Sequence, residues 1–240
     1  MIKDKKDIIA IACVVFVCGV AVFLLQPKDN AEAPPVIEAP EAPVPEEEMQ
    51  GPFDYLVKVT AHNPGDSHVG VGSLVTYDGY TFVLTSKMIF TPSDTHYTVT
   101  TTEGEQYPAM MLEKDDRRGL VALAVANGEF EGIEVNEYPN IPPDVKVIVR
   151  NLEKVFIVNV IRYLTDPDWL MLDGDLPGTC TGAPIVTSDS SLAGVVIGVN
   201  TEHAEEAFAV GNHAIRTFAE AVVNPEFEAI IGPPVFSKEN

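Results

Sequence analysis

Gly70–Phe90, GVGSLVTYDGYTFVLTSKMIF, reads as two short apolar strands joined by a tight turn. Gly70–Tyr77 and Thr81–Ser86 are rich in β-branched and aromatic residues. Asp78-Gly79 between them suits the positive φ angles of a two-residue hairpin. The same texture runs outward in both directions. Upstream lies Tyr55–His62; downstream come Tyr97–Thr101, Gln106–Glu113 and Leu120–Val125. A turn-rich bridge, NGEFEGIEVNEYPNIPPD, then leads to Val145–Arg150, Lys154–Ile161, Trp169–Leu172, Ala183–Thr187, Leu192–Thr201 and Glu206–Val210. Turn signals at Glu103-Gly104, Asn151–Glu153 and Ser188–Ser191 punctuate them. Six strands, a connector and six more, with no helix between, predict antiparallel barrels or sandwiches. Periodicity does not choose between the two. NHAIRTFAEAVV breaks the pattern: Ile215, Phe218, Ala219, Val222 and Val223 mark one helical face, with Asn212 as the expected N-cap.

The first 52 residues are of another kind. Ile8–Leu25 is an uncharged apolar run of 18 residues, just enough to cross a bilayer as a helix. It is too long for the apolar part of an ordinary signal peptide, and no small-residue cleavage site follows. A lipid anchor at Cys13 is the alternative. Lys3, Lys5 and Lys6 before the span predict a cytoplasmic N-terminus (1–7), an anchor over 8–25 and everything beyond it in the periplasm or other extracytoplasmic space. Residues 27–52 hold seven prolines and seven acids, so 26–52 is expected to be an extended linker, at about 3.1 Å per residue in a polyproline-type helix. Residues 1–26 carry a net +1 and 27–52 a net −6, which leaves −16 of the total −21 for the rest. Nucleic acid is disfavoured as a partner, because binding phosphates needs a basic face. Cys13 and Cys18 lie in the apolar run, so Cys180 stands alone in the domain and forms no disulfide within it.

Motif order narrows the fold. GVGSLVTYDGYTFVLTSKMIF resembles the opening hairpin of a trypsin-like serine protease of the HtrA/Deg type. VTTTEGEQYPAMMLEKDDRRGLVALAV resembles its second block, GTCTGAPIVTSDSSLAGVVIGVNT its nucleophile loop and following strand pair, and AFAVGNHAIRTFAEAVV its last strand and closing helix. The resemblance covers roughly residues 53–223. It implies an all-β domain of two six-stranded antiparallel barrels, 53–137 and 143–211, with a closing helix over 212–223 and a tail from 224 to 240. The PDZ domain that commonly follows in that family is not expected here, since the tail from 224 to 240 leaves no room for it.

The same resemblance places the catalytic histidine, aspartate and serine at Met88, Gly119 and Thr181, and at all three the residue type has changed. Thr179, two before Thr181, stands where the family's oxyanion loop usually has glycine. A hydroxyl needs an adjacent base to become a nucleophile, and a methionine thioether is not one. Removing base or nucleophile from such a triad costs a factor of about 10⁶. The expectation is therefore a pseudoprotease, not an enzyme. Cys180 is expected to be a small buried thiol. His203, in the turn after GVNT, is the histidine nearest an expected specificity pocket. His62 and His68, with Asp66, are candidates for a surface metal, though a spacing of six across a loop is not a ligand signature. No cofactor is expected.

Proteases of this fold bind substrate by adding its backbone to an edge strand, a step that needs no triad. The resemblance puts that strand at Gly198-Val199-Asn200-Thr201. The candidate peptide cleft is therefore Asp175, Thr179, Cys180, Thr181, Gly198, Val199, Asn200 and Thr201, with Asp175 as a possible acid for a basic side chain. The favoured reading is an inactive, membrane-anchored adaptor with protein partners in a membrane-associated complex. A peptide-binding module is the alternative, and a peptidase using Thr181 or Cys180 is a third reading.

Overall fold

Alternating β-branched residues build two closed sheets. The structure, a computed structural model, describes residues 54–126, 130–137, 141–164, 168–187, 190–199 and 206–223. The expected segments 1–7, 8–25, 26–52 and 224–240 lie outside the described residues, as do Asn200, Thr201 and His203. Among the described residues no helix is long and apolar enough to cross a membrane.

The first barrel comprises β1 (Leu56–Asn63), β2 (Asp66–Tyr77), β3 (Tyr80–Ser86), β4 (His96–Thr101), β5 (Gln106–Asp115) and β6 (Leu120–Val125). These run antiparallel in the order β1-β4-β5-β6-β3-β2, and β2 pairs back onto β1 to close the ring. The second comprises β8 (Lys146–Arg150), β9 (Val155–Leu164), β10 (Trp169–Asp173), β11 (Pro184–Val186), β12 (Leu192–Val199) and β13 (Glu206–Gly211), closed in the order β10-β13-β12-β11-β8-β9. Closure leaves no long unpaired edge, which is how all-β domains avoid pairing with themselves. Asp78 (φ 50°) and Gly79 (φ 80°) both take positive φ between β2 and β3, as a two-residue turn of this twist requires.

The inward faces form three apolar clusters. Val57, Val59, Leu74, Val83 and Val121 fill the first barrel, while Val147, Val158, Val160, Leu172 and Ile185 fill the second. The third joins them: Phe82, Leu84 and Leu120 of the first barrel meet Val195 and Ile197 of the second and Ile215 and Phe218 of helix α1 (Asn212–Val222). The helix thus buries one face across both barrels, which fixes the strands on either side of the gap between them.

Two local expectations are corrected. The N-cap of α1 is Gly211, whose position carries no side-chain cap; Asn212 is itself helical and 6% exposed, its Nδ2 donating to Leu192 O (2.8 Å). A buried acceptor on β12 outcompetes the helix end for that amide. Within the supposed turn-rich bridge, β7 (Ile133–Glu134) pairs in parallel with β2 through Val75 and Thr76. Two residues carry no period for a sequence to display.

Candidate functional site

Ser86, buried at the end of β3, organises the first wall of the gap. Its Oγ accepts from Met88 N (3.1 Å), capping a 3₁₀ turn over Lys87–Ile89, and donates to Ile197 O of β12 (2.8 Å). One hydroxyl therefore holds the Met88 turn against the opposite barrel, and the Met88 side chain projects outward, 70% exposed. Gly119 ends the β5–β6 turn at φ +81°, its carbonyl accepting from Lys87 N (2.9 Å). Only glycine takes that backbone freely. An aspartate expected there would be strained. Beside it Asp116 pairs with Lys87 (3.3 Å) and Lys114 (2.9 Å).

Between these turns and β12 lies a cleft of about 410 Å³, within the range of about 300–1,000 Å³ typical of ligand pockets. Met88 and Gly119 line it from the first barrel, Gly198 and Val199 from the second, and Trp169 and Phe208 form an aromatic wall with ring centroids 6.0 Å apart. The indole Nε1 of Trp169 is buried and has no hydrogen-bond partner among the described residues. Pairing of β11 with β12 ends at Val195, so Gly198–Val199 has β13 on one side and no strand on the other among the described residues. A Cβ on Gly198 would meet no atom of the described residues within 4 Å beyond its chain neighbours. The cleft therefore presents main chain, open space and an apolar wall together.

The Gly178–Thr181 loop lies beside this cleft rather than in its lining. Gly178–Cys180 form a 3₁₀ turn, and Thr181 N donates to Gly178 O (3.0 Å). The Thr181 amide is therefore engaged within its own loop. Thr181 O accepts from Val71 N (3.1 Å), tying the loop to β2, and the Thr181 hydroxyl has no hydrogen-bond partner among the described residues. Thr179 is exposed, its Oγ1 accepting from Asn151 Nδ2 (3.1 Å). Cys180 is fully buried, and burial pushes its thiol up to about 11, against a smaller lowering by the Asn151 amide. The thiolate is the reactive form. Iodoacetamide labelling at Cys180, read by mass spectrometry at pH 7.5, should therefore run at least about 100-fold slower in the folded chain than in urea.

Asp175 sits exposed in the turn after β10 and does not line the cleft. His62 stacks on His96 across β1 and β4 (4.3 Å, 7° between planes), and His68 Nε2 accepts from Asn63 Nδ2 (3.4 Å). Among the described residues no group of three or more His, Cys, Asp or Glu side chains is placed to hold a metal ion. Thus Met88, Gly119, Gly198 and Val199 come together, while Asp175, Thr179, Cys180 and Thr181 lie outside the cleft's lining. Sequence reasoning missed Ser86, Trp169 and Phe208; the lone tryptophan at a strand start was the one signal that pointed to any of them.

No protein-family model matches the chain, and no curated protein matches it. Solved structures do. The Rv3671c protease of M. tuberculosis in its active form is 17% identical, with 81% of this chain and 87% of that one covered and a TM-score of 0.59. A serine endoprotease from Yersinia pestis is 16% identical over 75% of this chain and 67% of that one, at a TM-score of 0.61. The fold is that of the trypsin-like serine proteases. An inactive, serine-to-alanine form of the M. tuberculosis protease matches as well, at 17% identity and a TM-score of 0.58 over 80% and 97% of the two chains. The expectation that the chain is not an enzyme is corrected here: the solved structures that share its fold are serine proteases, one of them in an active form. The expectation rested on three residue types, and residue types at positions matched by motif order do not say what else a closed fold brings to its cleft.

Proposed function

We propose that this chain takes extended polypeptide into the cleft between its barrels, and does so as a membrane-tethered subunit of an extracytoplasmic complex. The observation that carries the reading is the open strand edge Gly198–Val199 at a 410 Å³ apolar cleft. An extended peptide adds to such an edge through main-chain hydrogen bonds, while neighbouring pockets take its alternate side chains. Binding of this kind precedes cleavage in a protease and suffices for an adaptor. The apolar run Ile8–Leu25 and the acidic, proline-rich segment after it support the tether.

Gly198→Leu tests the cleft. Its Cβ meets no described residue beyond its chain neighbours, and the longer side chain is placed to fill the space a peptide would use. Fluorescein-labelled casein, an unfolded polypeptide, should bind the full-length chain in detergent, and the variant should bind at least about tenfold more weakly, a change of about 1.4 kcal/mol. Equal binding by both proteins contradicts the cleft. The same mixture reads turnover: cleavage that Thr181→Ala removes while binding persists assigns the nucleophile to that hydroxyl.

A further inference from the structure

On the second barrel, the outward face of the β8–β9 hairpin carries a second binding surface. Along β9 the residues turned away from the core are Val155 (36% exposed), Ile157 (54%), Asn159 and Ile161 (42%), and Ile157 lies directly across from Ile148 on β8. Large aliphatic side chains are rarely left exposed in a row on a barrel wall without a role. Cations flank the row: Lys146 and Arg150 on β8, Lys154 at the hairpin end and Arg162 on β9. Within residues 143–164 the only acids are Asp144 and Glu153, so this hairpin is net positive in a chain of net charge −21. Elsewhere Lys87, Lys114, Arg118 and Arg216 are each paired with a carboxylate, whereas Lys146, Lys154 and Arg162 pair with none among the described residues. None of these residues lines the cleft.

We propose that this face docks an acidic, aliphatic-rich extended segment of a partner protein. Alternate outward positions on a strand repeat at about 7 Å, the repeat at which an extended polypeptide presents every second side chain. A row of aliphatic groups with cations on both flanks thus fits a chain that alternates aliphatic and carboxylate residues. An anionic lipid surface fits less well, because it takes apolar groups on a protruding tip, whereas these lie along a barrel wall. The cations supply attraction and register, and the aliphatic row supplies the buried area.

The test uses the full-length chain in nanodiscs of neutral phosphatidylcholine, with two fluorescent 14-residue peptides, one alternating glutamate and valine, the other lysine and valine. The acidic peptide should bind at least about tenfold more tightly than the basic one, and that preference should fall as salt rises. The exposed substitutions Lys146→Glu with Lys154→Glu and Arg162→Glu, and separately Ile157→Ser with Ile161→Ser, should each weaken binding of the acidic peptide at least about tenfold. No binding, equal binding of both peptides, or indifference to both sets of substitutions overturns the proposal. So does preferential binding of phosphatidylserine vesicles, abolished by the same charge reversals, which would assign the face to a lipid surface.

Discussion

Gly182→Ala should destabilise the chain by about 4 kcal/mol or more, the largest effect of any single substitution considered. Gly182 has φ +87°, where a Cβ is already strained by about 1–2 kcal/mol. A Cβ there would also collide with Val71 O and Thr85 Oγ1, neither of them a flexible group that can step aside. Thr85 Oγ1 is itself buried and donates to Val71 O (2.5 Å), and Gly182 N donates to Val196 O (2.7 Å). The glycine after Thr181 is therefore where β2 and β3 of one barrel meet β12 of the other, and relief of the clash must separate them. Urea unfolding followed through Trp169 fluorescence should show the midpoint lowered by about 2 M, taking a slope near 2 kcal/mol per molar. An unshifted midpoint contradicts this account of the junction.

Asn151→Ala should cost about 2–3 kcal/mol and loosen the Gly178–Thr181 loop. Asn151 is 4% exposed at the end of β8. Its Oδ1 accepts from Glu153 N (2.9 Å) and Lys154 N (2.8 Å), which shapes the β8–β9 turn, while its Nδ2 donates to Thr179 Oγ1 (3.1 Å) and lies 3.7 Å from Cys180 Sγ. Each net hydrogen bond contributes about 1 kcal/mol, and donors left buried without partners cost more. Two readouts separate the effects: a lower unfolding midpoint, and faster hydrogen exchange over Gly178–Thr181 in the folded chain. A drop in stability with unchanged exchange in the loop would confine the role of Asn151 to its own turn.

How far the sequence could be read follows from the range of the interactions. Strands were legible because a half-buried strand alternates, and Asp78-Gly79 was legible because its turn chemistry is local. The parallel strand Ile133–Glu134 is too short to show a period, and it exists only because β2 lies beside it. Asn212 was misread because its amide is taken by a carbonyl on β12, 20 residues away in sequence. Motif order singled out Met88, Gly119, Gly198 and Val199, and these four line one cleft. The aromatic wall depends on β10–β13 register, which sets Met171 against Phe208 and Trp169 against Val210, and no local pattern announces such a pairing. Asn151 illustrates the same limit: it read as turn punctuation, and its second half, the grip on Thr179, appears only once the barrel closes.

The central claim is that extended polypeptide adds to the open edge of β12. Hydrogen exchange of the full-length chain, with and without saturating casein, tests it most directly. Bound polypeptide should slow exchange over Ile197–Val199 and the facing Lys87–Ile89 turn, and Gly198→Leu should erase that protection. Protection confined to other surfaces, or none at saturating casein, would contradict the account.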